Sequence, residues 1–321
     1  MNRSKSLIKY SATRLALAPI MLWLISTMVF ILLRIAPGDP VDAILGTRAD
    51  SAAREAMRIK LGLDQPIINQ YFNFLNGLIH GDLGTAINTQ EPVTQIISKA
   101  LPASLELGFI ALIIASLIGF SIGFTGIAIQ EGKRDFLGRL YGIGTYALPP
   151  FWAAMLIQLI FAVILGWLPV GGRFPPSSLE PEGTGFLIID SIVNGDFSAL
   201  KGSLRHLILP ASTLGILLSG VFSRALRINL VKTLKAGHVE ATRSRGITEP
   251  RVVLLHALPN ALLPILTITG LTIASLIGGA LLIEITFSWP GIALGLQEAI
   301  NQRDYPVVQG IIVVISALVV I

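Results

Sequence analysis

The sequence predicts an all-α membrane protein with six transmembrane helices, and three observations support this fold class. The chain has 321 residues, of which 53% are hydrophobic and 13% are charged. Its mean hydropathy is +0.73, and its charges are concentrated between long apolar runs. Globular chains carry about 25% charged residues. The low charge therefore excludes both a water-soluble domain and a disordered chain.

Six apolar stretches are the candidate spans, because a bilayer core about 30 Å thick takes roughly 20 residues of helix. They cover residues 15–33, 107–129, 140–168, 207–223, 258–283 and 307–321. The first is too long for a signal-peptide core, and no small-x-small cleavage site follows it. The last is short, which predicts a chain cut near its natural C-terminus.

The distribution of Lys and Arg predicts the orientation, because these residues collect on the cytoplasmic side of membrane proteins. With a cytoplasmic N-terminus, the inside segments hold 14 Lys and Arg against 4 Asp and Glu, and the outside segments hold 10 against 15. The inside segments are residues 1–14, 130–139 and 224–257. We therefore expect both ends of the chain to be cytoplasmic. The net charge of +5 follows from this bias, so we expect no nucleic-acid partner.

The chain divides by spans and loops into three parts. Residues 1–34 are the cytoplasmic N-terminus and the first span, residues 35–100 are an extracytoplasmic loop, and residues 101–321 are a five-helix core. The absence of cysteine excludes disulfides, thiolate zinc sites and cysteine nucleophiles. The four histidines form no ligand pair in the sequence, so we expect no metal and no cofactor bound by this chain.

Two short helices are predicted in the extracytoplasmic loop. Asp50 and Ser51 are typical caps for a first helix that ends at Gly62. Pro66 opens a second, amphipathic helix that ends at Gly81. The second helix either lies on the membrane or the bundle, or forms a platform for an outside partner.

Two features of the second span have competing interpretations. Glu106 follows Pro102 by four residues, which predicts a position in the first helical turn, where the helix dipole favours an anion. The alternative is a functional charge within the membrane. Residues 119–123 match the G-x-S-x-G of serine hydrolases, but no strand precedes them. They also read as G-x-x-x-G, which predicts close helix packing.

Residues 224–256 are predicted to form a protruding elbow between two spans. A short helix around residues 237–245 is expected to end at Gly246. Thr248 and Pro250 are typical of the start of a second helix. A helix, a turn and a second helix that leads into a span can transmit force.

Along this elbow, Glu240-Ala241-Thr242 is followed after three residues by Gly246, and after nine more by His256-Ala257-Leu258-Pro259. The pattern resembles the Glu-Ala-Ala signature of ABC-importer permeases, although Thr242 replaces the second Ala and His256 replaces an apolar residue. The resemblance implies that this helix docks into a cleft of a cytoplasmic ATPase. The implied coupling residues are Glu240, Ala241, Thr242, Gly246 and Pro259.

Further segments resemble the B-type permease subunits of dipeptide, oligopeptide, nickel and glutathione importers. They are residues 33–40, 81–84, 101–107, 149–152, 287–291 and 303–310. They occur in the expected order over nearly the whole chain. The resemblance implies the type I ABC-importer permease architecture, with six spans, in the bacterial cytoplasmic membrane.

The resemblance also implies partners and a mechanism. The partners are a homologous second permease, two cytoplasmic ABC ATPases and an extracytoplasmic substrate-binding protein, and the surroundings are membrane lipid. The chain has no G-x-x-x-x-G-K-[ST] motif, so ATP and Mg belong to the partner subunits and this chain is not expected to be an enzyme. Closure of the ATPases would push the elbow and drive alternating access. Peptide is the expected substrate, with nickel or glutathione as alternatives.

Two other classes of function fit this sequence less well. A secondary transporter or channel needs ionisable groups within its spans, and the sequence places none there. An intramembrane enzyme needs a paired nucleophile and base, and no such pair is evident.

The segment from residue 289 to 305 is predicted to hold a short helix that cannot span the membrane. We expect it to dip back towards the bundle, which is tolerated where protein or water satisfies its ends. The candidate outer-gate residues are Trp289, Pro290, Gly291, Leu294 and Ile300. The alternative is that this segment only caps the bundle.

Overall fold

A computed structural model describes residues 3–35, 38, 40–45, 49–128 and 132–320. Within these ranges the chain is helical, apart from loops and one isolated bridge between Thr85 and Pro92. The helices before the first bend are α1 (Arg3–Ile35), α2 (Pro40–Leu45), α3 (Ser51–Lys60), α4 (Ile67–Ile79), α5 (Val93–Ala128) and α6 (Lys133–Ala147). They are followed by α7 (Pro150–Gln158), α8 (Leu187–Val193), α9 (Phe197–Leu234), α10 (Gly237–Ser244), α11 (Glu249–Arg251), α12 (Leu258–Gly279), α13 (Leu281–Thr286), α14 (Ile292–Asn301) and α15 (Tyr305–Val320).

Four stretches of the described chain are long and apolar enough to cross a membrane. They are Ala12–Ile35, Val93–Phe124, Phe197–Leu234 and Glu249–Leu276. A bent pair of helices supplies a fifth apolar element, and α15 is a shorter apolar helix of 16 residues. The six predicted stretches fall on these elements, and the predicted all-α membrane fold is confirmed. The ends of two stretches, Ile129 and Ile321, and part of the segment 33–40 lie outside the described residues.

The third predicted stretch is broken by a sharp bend. Its two helical parts, Asp135–Ala147 and Pro150–Ile164, meet at 100°. Leu148 and Pro149 are extended, with ψ of 125° and 129°. Each precedes a proline, and the ring of a proline disfavours the helical conformation of the residue before it. A helix cannot pass through two extended residues, so a single span over residues 140–168 is replaced by a bent pair. The second part ends in a π-helical turn, Leu159–Ile164.

The second long helix starts earlier than expected, and this corrects the interpretation of Glu106. Helix α5 begins at Val93, so Pro102 lies inside it and Glu106 lies well beyond its first turn. The side chain of Glu106 is only 6% exposed and forms an ion pair with Arg173. The prediction that Glu106 lies in a first helical turn, in contact with water, is therefore wrong. Its charge is balanced by an arginine from the loop after α7.

The described residues fall into two compact units, one of residues 1–101 with 292–321 and one of residues 102–291. This division follows packing, whereas the three-part division predicted above follows spans and loops, so that division stays a prediction.

In the first unit, α1 packs against α15, and α14 also contacts α15. Its core contains Val93, Ile97, Ile292, Val308 and Ile311. The two loop helices, α3 and α4, form where they were predicted, and Gly62 and Gly81 follow them with φ of +65° and +75°.

Polar contacts join the loop region of the first unit to α1 and to the start of α15. The Tyr71 hydroxyl of α4 lies 2.7 Å from the Thr27 hydroxyl of α1, and Arg34 donates to Gln70 over 2.9 Å. Asp304, just before α15, accepts a hydrogen bond from the backbone N–H of Ile87 at 2.8 Å. Helix α4 therefore packs on the first span.

In the second unit, α9 is the central helix and contacts α6, α7, α8 and α12. Small residues allow α5 to approach it closely. A Cβ atom on Gly119 would lie 2.6 Å from the carbonyl oxygen of Ser219, and one on Gly123 would lie 2.9 Å from that of Ser223. The predicted close packing at residues 119–123 is confirmed, and the partner is a helix of the same chain.

Candidate functional site

The elbow between α9 and α12 has the predicted form. Helix α9 ends at Leu234, and the eight-residue α10 follows it. The chain turns at Gly246, whose φ is +75°, and α11 begins at Glu249. A π-helical turn, Val252–Ala257, then joins α11 to α12. The elbow is thus connected to a long apolar helix at each end.

Local chemistry explains the turn. A φ of +75° is the left-handed conformation, which costs little for glycine and much for a side chain branched at Cβ. Thr248 is extended and precedes α11, and Pro250 lies in the first turn, where its missing N–H costs no helical hydrogen bond. The Thr248 side chain makes no capping hydrogen bond. The backbone conformation, and not a side-chain cap, therefore defines this helix start.

The elbow rests on an apolar base. Val239 of α10 is fully buried, and it packs with Leu230 and Leu234 of α9. Val252 and Ala257, from the π-helical turn, complete the same cluster and are also fully buried. One face of α10 is thus held against the ends of both neighbouring helices.

Arg243 links the two ends of the elbow. Its Nη2 donates to Glu249 Oε1 at 2.5 Å and its Nε donates to Glu249 Oε2 at 3.0 Å. Its Nη1 donates to the carbonyl oxygen of Leu234 at 3.2 Å. These bonds lower the pKa of Glu249 below its ordinary value and raise that of Arg243. We call this set of contacts between Arg243, Glu249 and Leu234 the brace. The sequence analysis missed it, although two opposite charges six residues apart on either side of Gly246 were a signal for it.

The predicted coupling residues lie together on the elbow, except for Pro259. Glu240 and Ala241 are exposed, and Thr242 is half-buried with its hydroxyl donating to the carbonyl oxygen of His238 at 2.8 Å. Within the described residues, the Glu240 carboxylate has no hydrogen-bond partner. Pro259 lies in the first turn of α12 and is exposed. Their role in coupling stays a prediction.

The outer-gate candidates are divided between the two compact units. Trp289 is 1% exposed, and its Nε1 donates to the carbonyl oxygen of Ala103 at 2.9 Å. Pro290 is exposed and Gly291 is buried. Leu294 and Ile300 belong to α14, where Leu294 is half-buried and Ile300 is 53% exposed. The predicted short helix is confirmed, and the gate role stays a prediction.

Charged side chains are buried just beyond the ends of three predicted apolar runs. Arg173 donates to Glu106 at 2.6 Å and to the carbonyl oxygen of Gly185 at 2.7 Å. Glu284 of α13 is fully buried and accepts a hydrogen bond from the Ser104 hydroxyl at 2.6 Å. A Cβ atom on Gly291 would lie 2.3 Å from the carboxyl carbon of Glu284. Glu106 and Glu284 lie one residue outside the predicted apolar runs 107–129 and 258–283, and these runs themselves contain no Asp, Glu, Lys or Arg.

Comparisons with known proteins place the chain in a family. Residues 115–321 match the model of the binding-protein-dependent transport system inner membrane component, and residues 7–108 match the N-terminal model of such membrane components.

Curated relatives agree with these matches. The di/tripeptide transport system permease protein DppB of Pseudomonas aeruginosa (strain UCBPP-PA14) is 36% identical over 98% of this chain and 94% of its own length. The dipeptide transport system permease protein DppB of Escherichia coli (strain K12) is 33% identical over 92% of this chain and 89% of its own length. The glutathione transport system permease protein GsiC of Pectobacterium atrosepticum is 32% identical over 94% of this chain and 89% of its own length. The chain therefore belongs to the family of binding-protein-dependent transport system inner membrane components, the multi-pass permease subunits of ABC importers.

Proposed function

We propose that this chain is the permease subunit of an ATP-driven importer of di- or oligopeptides. The observation that carries the proposal is the near full-length similarity to permeases named for dipeptide and di/tripeptide transport. In this proposal the chain pairs with a second, homologous permease, two cytoplasmic ATPases and an extracytoplasmic substrate-binding protein. ATP and Mg²⁺ bind to the ATPases, and this chain binds no cofactor.

The geometry supports a specific role for the elbow in this assembly. Helix α10 presents Glu240 and Ala241 to solvent, while another face of the helix is anchored by the buried Val239. A push on α10 would therefore reach the ends of α9 and α12 through packed side chains. We assign Glu240, Ala241, Thr242, Gly246 and Pro259 to coupling with the ATPase, so that ATP-driven closure rocks the helices in alternating access.

Co-purification is the direct test of the substrate. The complex is purified through a tag on this chain, the binding protein is identified by mass spectrometry, and its melting temperature is measured with dipeptides, glutathione and nickel. Anything that binds the folded state raises the melting temperature. A shift with dipeptides supports the proposal. A shift with glutathione alone would move the function to that of the Pectobacterium relative, and a shift with nickel alone would contradict a peptide importer.

The proposed orientation places the N-terminus and the elbow in the cytoplasm. The chain contains no cysteine, so single cysteines can be introduced cleanly. A cysteine at Asn73 of α4 should react with an impermeant thiol reagent in intact cells, and one at Glu240 should not. Labelling at position 240 but not at position 73 would invert the orientation and remove the elbow from the ATPase side.

The segment from residue 289 to 305 is proposed to line the outer gate. Single cysteines from residue 292 to 300 are crosslinked to the binding protein and to the second permease, with and without trapped nucleotide. A gate requires a crosslinking pattern that changes between the two states. An unchanged pattern would mean a static cap.

A further inference from the structure

A cationic cavity lies at the end of α9 that is far from the elbow. It has a volume of about 460 Å³ and is formed between the first turns of α9 and the loop after α7. The side chains that supply its polar lining are Ser198, Lys201, Arg205 and His206, and Gly166 and Pro169 line its opposite wall. No acidic side chain lines it.

The cavity is lined by two cationic side chains, Lys201 and Arg205. Arg205 is held by a hydrogen bond from its Nη2 to the carbonyl oxygen of Trp167 at 3.1 Å. His206 Nδ1 lies 2.9 Å from the carbonyl oxygen of Gly202, so this nitrogen carries a proton and donates. Within the part of the chain that the structure describes, neither Lys201 nor Arg205 forms an ion pair. The cavity therefore carries at least two positive charges that form no ion pair with an acidic group of the described residues.

Two acidic residues close to this region in the sequence, Asp190 and Asp196, accept hydrogen bonds from backbone N–H groups. Asp190 accepts hydrogen bonds from the backbone N–H groups of Thr184 and Gly185, each at 2.8 Å. Asp196 caps α9 by accepting from the N–H of Ala199 at 2.9 Å. Neither residue lines the cavity.

The position of the cavity along α9 identifies the kind of anion. The helix has 38 residues, or about 57 Å, which is far longer than a hydrocarbon core of about 30 Å. No Asp, Glu, Lys or Arg occurs between Arg205 and Arg224, and this stretch is about 28 Å long. When it fills the hydrocarbon core, Arg205 and Lys201 lie at the level of the lipid headgroups. Leu204 and Ile208, which are 39% and 46% exposed, are close in sequence to the cavity-lining residues of the same helix.

We propose that this cavity binds the phosphate of an anionic phospholipid in the leaflet opposite the elbow. Lys201 and Arg205 neutralise the phosphate, Ser198 and His206 complete the polar lining, and the exposed Leu204 and Ile208 contact the acyl chains. The bound lipid would hold the loop after α7 against α9 on the side where substrate arrives.

The test measures lipid binding to the purified, delipidated complex by native mass spectrometry during titration with phosphatidylglycerol. The variant is K201Q with R205Q, and the control is R58Q with K60Q on α3, which removes the same two charges from a helix that is also predicted outside the membrane. A cation near a lipid surface contributes about a fivefold affinity, so the variant should bind phosphatidylglycerol about 25-fold more weakly. The control should bind like the parent.

Competition identifies the source of the anion. Inorganic phosphate should displace phosphatidylglycerol from the parent, and the dipeptide alanyl-alanine should not. Equal lipid binding by variant and parent would overturn the proposal. Displacement by the dipeptide, with loss of dipeptide binding in the variant, would also overturn it and make the cavity a substrate site. Because binding and not uptake is measured, equal lipid binding by variant and parent would leave the proposed import function unchanged.

Discussion

Two arginines in this chain make similar contacts in opposite surroundings. Arg173 bonds the carboxylate of Glu106 and the carbonyl oxygen of Gly185, and Arg243 bonds the carboxylate of Glu249 and the carbonyl oxygen of Leu234. The side chains of the first ion pair are 7% and 6% exposed, and those of the second are 38% and 57% exposed.

The difference in exposure means that the two ion pairs contribute very differently to the stability of the fold. Removing one partner from a buried ion pair leaves an uncompensated charge, which costs about 3 to 5 kcal/mol. An exposed pair is screened by water and contributes about 0 to 1 kcal/mol. The buried pair therefore holds the loop after α7 in the folded state. The exposed pair contributes little to folding, but it joins the two sides of the turn at Gly246, so we expect it to influence the shape of the elbow.

Breaking the buried pair is expected to have the largest effect. Arg173→Gln should lower the free energy of unfolding by about 3 to 5 kcal/mol, because Glu106 stays buried without its cation. The yield of folded protein and its melting temperature measure the loss. The double variant R173Q with E106Q should recover part of it, because no buried charge remains. A parent-like melting temperature for R173Q alone would remove the distinction between the two pairs.

Distorting the elbow is expected to uncouple transport without unfolding the protein. Gly246→Val forces a β-branched residue to adopt a φ of +75°, with a local strain of about 1 to 3 kcal/mol. Peptide uptake per ATP hydrolysed should fall sharply, or the ATPase should fail to co-purify. Gly237→Val is the matched control, because a Cβ atom at either glycine meets nothing within 4 Å and only Gly246 has a positive φ. If G246V transports at the parent rate, the elbow needs no defined shape.

Removing the brace should give a smaller effect of the same kind. Arg243→Gln should change the free energy of unfolding by less than about 1 kcal/mol. Uptake per ATP should fall by about fivefold, if the lost brace costs about 1 kcal/mol in positioning α10. Arg245→Gln is the control, because it also removes an exposed positive charge from the elbow. Within the described residues, Arg245 forms no ion pair. Equal coupling in both variants would contradict a role for the brace.

Acid should loosen the brace, and this is the smallest expected effect. The pKa of Glu249 is lowered from 4.5, chiefly by its hydrogen bond to Arg243. A lowered carboxyl pKa means that the stabilisation is complete above about pH 4.5 and is lost as the pH falls below that value. Spin labels on cysteines at His238 and Arg251 should report one distance distribution between pH 5 and 8 and a broader one below pH 4.

Two variants make the acid effect specific. Glu249→Gln should give the broad distribution at every pH, because the charged brace is absent. Glu240→Gln should keep the pH response of the parent, because this carboxylate has no hydrogen-bond partner in the described part of the chain. Broadening that starts near neutral pH would point to a group other than Glu249.

The sequence predicted the elbow well and the buried charges poorly, and the reason is physical. The elbow depends on local signals, such as Gly246 at a turn and Pro250 at a helix start, which act over a few residues. The buried position of Glu106 depends on its ion pair with Arg173, which is 67 residues away in the sequence. No local sequence pattern indicates a pair so far apart. Pro102 suggested a helix start because it can begin a helix, but the helix already runs from Val93.

The π-helical turn, Val252–Ala257, gives the join between the elbow and α12 a distinctive geometry. A π-helical turn holds one residue more than an α-helical turn. If it relaxed to an α-helix, the register would change by one residue, which turns one side by about 100° relative to the other and shifts it by 1.5 Å. A push on the elbow would then reach α12 as a twist about its own axis. Labels around α12 would report such a step as an exchange of faces, whereas rigid tilting would leave every residue on its original face.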